Sequence, residues 1–207
     1  MARRGPKLLM NCNPAMIHDY NRFYNRKTAL HLIIPHFRLL SRSRQKVRFG
    51  ISVNTRHQVL IKRGLTYSVP VYVDVAPAQP SIFLLDGVTP AITATRGDQA
   101  AFLISKSAPA RVGDVLTIYC AGLGLTDMTI GDGAAAPLDG LIRTESPVSV
   151  SIGGQLAAAS FAGLSPGFVG VYQVNVTVPP DVIPGDSVPL NISVSGQSSP
   201  TAPLPIR

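Results

Sequence analysis

From residue 68 onward the chain alternates apolar and polar positions, the pattern of strands with one face in a core and the other in water. "SVPVYVDVAP" sets Val69, Val71, Val73 and Val75 against Pro70, Tyr72 and Asp74. "PAQPSIFLLDG" predicts a proline-stiffened connection into a short apolar strand, and "QAAFLIS" at 99–105 a weaker one. "PARVGDVLTIYCAGLG" at 109–124 reads as a turn, a strand and a glycine-rich exit. In "SPVSVSIGGQLAAASFAGL", Val148, Val150 and Ile152 oppose Ser149 and Ser151, and Gly153-Gly154 supplies the positive backbone angles of a two-residue hairpin. "VYQVNVTVP" places Tyr172, Val174, Val176 and Val178 on one face, and "DSVPLNISVSG" does the same with Val188, Leu190, Ile192 and Val194. "SSPTAPLPIR" predicts an edge strand, since Pro203 and Pro205 have no N–H to give to a ladder.

Turn signals therefore punctuate six or seven short strands between about 109 and 207. The expected fold is all-β, an immunoglobulin-like β-sandwich over 109–207, without the disulfide and core Trp of antibody domains. Residues 68–108 are expected to be the remnant of a first β unit, near 68–77, and a connector. A strand at 69–75 with no natural neighbour would dock on the complete unit or leave an open edge. Upstream the pattern weakens. "RKTALHLII" from Arg26 to Ile34 predicts a short helix ended by Pro35, "SRSRQKVR" at 41–48 a solvated basic run, and "FGISVNTRHQVLIKRG" one or two strands.

Charge draws the same boundary. Residues 1–67 hold fourteen Lys/Arg against Asp19 alone, a net +13, whereas 68–207 hold five against ten Asp/Glu, a net −5. All four His lie upstream (His18, His31, His36, His57). Residues 1–67 are thus expected to be a poorly structured basic segment, foreign in pattern to the remainder of the chain, as a misassigned start or a gene fragment would be. Its cations can neutralise phosphates but are spread among His and apolar residues with no reading motif, so nucleic acid is the lesser expectation. The chain has 45% hydrophobic and 14% charged residues, 18 Gly and 18 Pro, which suits a buried core with many turns. No apolar run reaches the roughly 18 residues of a membrane span, and Leu8-Leu9-Met10 is too short for a signal-peptide core. If the start is native, a cytoplasmic location is expected.

Candidate chemistry is sparse. Gly163-Leu164-Ser165-Pro166-Gly167 fits the G-x-S-x-G elbow of serine hydrolases, but Pro166 has no N–H for an oxyanion hole, a strand pattern comes next, and no His comes after His57. The glycines and proline there read as a tight corner. Arg96-Gly97-Asp98 spells an adhesion tripeptide that arises readily by chance. Asn175-Val176-Thr177 and Asn191-Ile192-Ser193 match glycosylation sequons but fall mid-strand. Asp127, Asp132 and Asp139 share one Gly-rich loop without calcium-loop spacing, and Gly122-Leu123-Gly124 lacks a dinucleotide context. Cys12 and Cys120 fit no metal motif, and pairing between them stays open. No catalytic, cofactor or metal residue is expected, nor a small-molecule substrate.

The tracts "SVPVYVDVAPAQPSIFLLDG", "PARVGDVLTIYCAGLG", "GAAAP", "PVSVSIGGQLAAASFAGLSPGFVGVYQVNVTVPPDVIPGDSVPLNISVSGQSS" and the final "PIR" resemble the uncharacterised C-terminal domain family of Solibacter and other Acidobacteria, over about 68–207. "GDVLTIYCAGLG" is also similar to the first strand of IPT/TIG domains of the E-set type. The resemblance implies two sandwich-like units in tandem, the first truncated here, at the end of an exported or cell-surface protein. A sandwich pattern with no histidine and no reactive constellation points to a non-enzymatic, structural or adhesive role, with neighbouring domains or surface proteins as partners. The rival expectation is a carbohydrate- or protein-binding module using loops 122–146 and 163–170, although aromatics are only 6% and Trp is absent.

Overall fold

The computed structural model describes residues 31–33, 52–131 and 133–207. Among these, the strands are β1 (His31–Ile33), β2 (Thr55–Arg63), β3 (Thr66–Tyr67), β4 (Val71–Val75), β5 (Ser81–Ile82), β6 (Ile92–Thr95), β7 (Phe102–Leu103), β8 (Val115–Ala121), β9 (Val148–Ile152), β10 (Gln155–Leu164), β11 (Tyr172–Thr177), β12 (Gly185–Val194), β13 (Gln197–Ser198) and β14 (Ala202–Ile206). The fold is all-β, and no described helix is long and apolar enough to cross a membrane.

Ten strands, β5 to β14, curl into a sandwich-like arrangement of antiparallel strands. One layer runs β10-β11-β8-β6-β7, with β5 continuing the β6 edge of β8; the other runs β10-β9-β12, with β13 and β14 sharing the far edge of β12. β10 belongs to both. Its first half pairs with β9 (Ala157↔Val150) and its second with β11 (Ala162↔Val174), and the register shifts by one residue between Ala159 and Phe161. Such a bulge bends a strand and raises its twist, which carries β10 from one layer to the other. The far edges also meet, because the Ala110 N–H donates to Pro205 O and the Arg207 N–H to Ala110 O, each at 2.9 Å.

The alternation read from the chain fills the space between the layers. Leu116, Ile118 and Cys120 from β8 meet Val174 and Val176 from β11; Val150 and Ile152 from β9 meet Leu190 and Ile192 from β12, with Leu204 and Ile206 from β14. All are fully buried. Gly153 and Gly154, at φ +60° and +84°, make the expected β9–β10 turn. β14 is the expected edge strand: Pro203 faces Pro189 across the ladder, so neither ring interrupts a hydrogen bond there.

The sheet reaches back past residue 109. β5, β6 and β7 lie in the expected connector, yet they pair into the β8 layer and bring Ile82, Ile92 and Ala94 into the core, with Ile104 just beyond. β6 gives little signal because its alternation, "ITAT", spans four residues and has Ile92 as its one large apolar side chain. The anticipated 99–105 strand shortens to Phe102–Leu103.

β1 to β4 form a separate four-stranded sheet. The helix expected over Arg26 to Ile34 is corrected where the chain is described: His31–Ile33 pairs antiparallel with Leu60–Lys62 of β2, a ladder that outweighs the helix formers upstream. The rest of that stretch, and the basic run at 41–48, lie outside the described residues. β4 pairs with β2 (Val73↔His57) and not with the sandwich; its other edge has no partner among the described residues. Val73 and Val75 are half-buried, but Val69 is 82% exposed and Val71 is exposed too, so the expected half-buried face is only partly made.

Where the chain comes into the sandwich, Pro77–Gln79 runs against the glycine-rich exit of β8. A Cβ on Gly122, at φ +76°, would lie 1.9 Å from Gln79 O. Gly154 has the same sign of φ and nothing within 4 Å. Gly154→Ala should therefore lose only the left-handed backbone cost, about 1–2 kcal/mol. Gly122→Ala must also displace the Pro77–Gln79 backbone and should lose clearly more, read as the difference in urea unfolding midpoints. Equal losses would refute this account of Gly122.

Candidate functional site

The corner after β10 assembles from backbone. Residues 142–144 run antiparallel to 162–164: the Leu164 N–H donates to Ile142 O at 2.9 Å and the Thr144 N–H to Ala162 O at 3.0 Å. This approach leaves no room for a side chain at Gly163, whose Cβ would stand 2.0 Å from Ile142 O. Ser165, next along, is 2% exposed. Its N–H donates to Val171 O at 2.8 Å and its hydroxyl to Gln173 Oε1 at 3.0 Å. The chain then turns through Gly167, at φ +80°, into β11. The serine of the G-x-S-x-G pattern is thus a buried donor at a corner. His57 lies in the separate sheet, with Nε2 2.7 Å from Thr55 Oγ1.

The two loops singled out for binding do come together. Ala136 bridges Pro166, the Ala136 N–H donates to Phe168 O at 3.0 Å, and the Gly167 N–H donates to Ala136 O at 2.8 Å. Leu138 lies against Gly167 and remains 83% exposed, and Phe168 is 54% exposed. Met128, Leu141 and Val169 of the same two loops are exposed as well. The aspartates are not brought together as ligands. Asp127 Oδ1 accepts the Arg143 N–H at 2.9 Å, Asp132 lies outside the described residues, and no cluster of three metal-ligating side chains occurs among the described residues.

At the opposite end, Arg96 of the R-G-D tripeptide is held. Its Nε and Nη2 donate to the two carboxylate oxygens of Asp114 at 2.8 and 2.7 Å, and its guanidinium carbon sits 5.2 Å from the Phe102 ring centroid. Asp114 is 2% exposed, and its Oδ2 also accepts the Arg111 N–H at 2.8 Å. The Arg96 hydrogen bonds, reinforced by the Arg111 N–H, hold the Asp114 carboxyl below the usual carboxylate range against the opposing effect of burial. An arginine fixed in this way is not free to present an adhesion tripeptide. This fork joins residues 18 apart and leaves no periodic signal in the sequence.

The sequon asparagines sit inside ladders. Asn191 Nδ2 donates to Ser199 O at 3.2 Å and Thr201 Oγ1 at 3.0 Å, and Asn175 stands on β11 between β8 and β10. Cys120 is a buried free thiol whose pKa is pushed up by burial, while Cys12 lies outside the described residues. Burial likewise pushes Tyr172 up to about 12, and its hydroxyl donates to Gly124 O at 2.6 Å, tying β11 to the β8 exit. The Thr89 and Val88 N–H groups lower the Asp86 carboxyl to about 2 and close the exposed turn after Leu85.

No family model, curated protein or solved structure matches this chain.

Two measurements probe these assignments. Ser165→Ala should lower stability by about 1 kcal/mol through loss of the Gln173 bond, with turnover of a nitrophenyl ester equal in both proteins. Ester turnover abolished by that substitution would overturn the structural reading. The Asp114 carboxyl has a folded pKa below its unfolded one, so its stabilisation is complete above the unfolded value and disappears as pH falls through the folded one. Urea midpoints taken from about pH 6 to about pH 2 should fall for the native protein, and start lower and fall less for Asp114→Asn. Parallel curves would rule out this linkage.

Proposed function

We propose that the chain supplies a non-enzymatic, immunoglobulin-like β-sandwich module that spaces and holds neighbouring segments of an exported or cell-surface protein. The observation that carries this reading is where the backbone comes in and goes out. Gln79 donates its N–H to Gly122 O, just past the C-terminal end of β8. Arg207 donates to Ala110 O, five residues before the other end of β8. The Gln79 inlet and the Arg207 outlet thus lie toward opposite ends of a strand about 23 Å long, so whatever is joined or docked at the one is held apart from the other by the length of the sandwich. Layers closed through β10 and through Ala110 suit a spacer that keeps its length. Placement in an exported protein rests on the resemblance of residues 68–207 to the Solibacter C-terminal domain family.

A second reading, a protein- or carbohydrate-binding module, is favoured by one feature: Leu138 and Phe168 are exposed where the two loops meet.

Spin labels at Gln79→Cys and Arg207→Cys, with Cys12→Ser and the buried Cys120 retained, test the spacer reading. A single narrow distance distribution is expected, and a broad or divided one would remove its basis. A glycan or surface-protein array bound by the native chain and not by the Leu138→Asp, Phe168→Asp double variant would select the second reading instead.

A further inference from the structure

A cleft of about 250 Å³ opens at the outlet end of the sandwich, between the β6–β7 turn and the segment leading into β8. Its polar wall is Arg96, Gln99 and Arg111, and its apolar wall Phe102, Ala108 and Pro109. We propose that this cleft binds a small organic carboxylate with a flat apolar body.

The guanidinium of Arg96 is set in place before any ligand arrives. Asp114 takes its Nε and Nη2, Pro109 O takes Nη2 again at 3.3 Å, and the Phe102 ring covers one face. Both Nη2 hydrogens are thereby taken, and Nη1, with no acceptor among the described residues, is the donor that Arg96 keeps available in a fixed orientation. Arg111 is held differently. Its backbone N–H goes to Asp114 and its exposed side chain makes no hydrogen bond to a described residue, so it adds a mobile donor fork. A planar fork matches a planar carboxylate bidentately.

Charge selects within the anions. Two guanidinium groups against the Asp114 carboxylate leave one net positive charge, which balances a monoanion. A phosphate dianion would be left in excess, since Asp98 beside Gln99 and Lys106 beside Ser107 add one charge of each sign at the rim. Size selects too: the volume is below the range of pockets that take drug-sized ligands and suits a single ring or short chain against Phe102 and Pro109. The contacts are few and the cleft is open on one side, so the affinity belongs in the millimolar range.

An NMR titration of the full chain with benzoate, benzyl alcohol and inorganic phosphate decides between binding and its absence. Benzoate should give saturable shifts confined to the amides around Arg96, Gln99, Phe102 and Arg111, with the two other probes at least about fivefold weaker. Arg111→Gln should weaken benzoate about tenfold at an unchanged unfolding midpoint, because the backbone N–H that holds Asp114 remains. The proposal is overturned by absence of saturable shifts, by benzyl alcohol or phosphate matching benzoate, or by undiminished benzoate binding in Arg111→Gln.

Discussion

The sandwich depends on one strand being shared by two layers. Along β10 the core-facing positions are Ala157, Ala159, Ala162 and Leu164, spaced by two, then three, then two. The extra residue is the bulge at Ser160-Phe161. Without it, Phe161 and Gly163 would turn inward and Ala162 and Leu164 outward, since a slip of one residue reverses every side chain. Small residues at 157, 159 and 162 let the bent strand come close to the facing layer. Phe161, turned outward, is kept from water by the 142–144 segment and by the Arg143 guanidinium 5.0 Å from its ring centroid. The bulge, the alanines and the loop that covers Phe161 thus act on the same strand, which pairs with β9 in its first half and β11 in its second.

Close backbone contacts then fasten the inlet end. Gly122 and Gly163 each lie where the carbonyl of a distant segment occupies the space of a Cβ, and a Cβ on Gly124 would stand 2.7 Å from Pro77 O, still too close for a side chain. Tyr172 adds a hydroxyl anchor on the Gly124 carbonyl, so the exit of β8, the start of β11 and the incoming chain meet in one hydrogen-bonded knot. The long 125–144 excursion leaves this knot and returns to it through the Thr126↔Thr144 and Arg143↔Gly163 bridges. Ala136 ties it to Pro166 as well, while Leu138, two residues on, stays in water. The outlet end is built on charge instead. The forked Arg96–Asp114 pair holds the β6 exit against the turn before β8, and Arg207 pairs with Asp186 at the surface. The two poles thus differ in chemistry although one core joins them.

Period-two alternation makes β8, β9, β11 and β12 legible, because each sets a row of apolar residues on one face, whereas β10 breaks the period at its bulge. β6 keeps that alternation, Ile92 and Ala94 in and Thr93 and Thr95 out, but over four residues with one large apolar side chain, too short a run to stand out. The boundary at 109 follows the run of turn-punctuated strands that starts there, whereas the sheet follows hydrogen bonding and extends to Ser81. Of the site features, the corner role of Gly163 to Gly167 can be read from Pro166 and the lack of a helix pattern beyond it. The Arg96–Asp114 fork and the cleft beside it cannot, since they depend on which turn lands beside which after the sheet has formed.

The separate four-stranded sheet shows what alternation alone does not provide. Val59, Ile61, Val71, Val73 and Val75 lie on one side of β2 and β4 by register, the same signature that fills the sandwich core. None of them joins that core. A strand pattern guarantees a face, but burial requires a second layer at sheet-packing distance, and among the described residues only the chain from Ala78 onward supplies two layers to each other. The alternating tract at 69–75 and the one at 172–178 therefore look alike as sequence and differ in the structure by what stands opposite them.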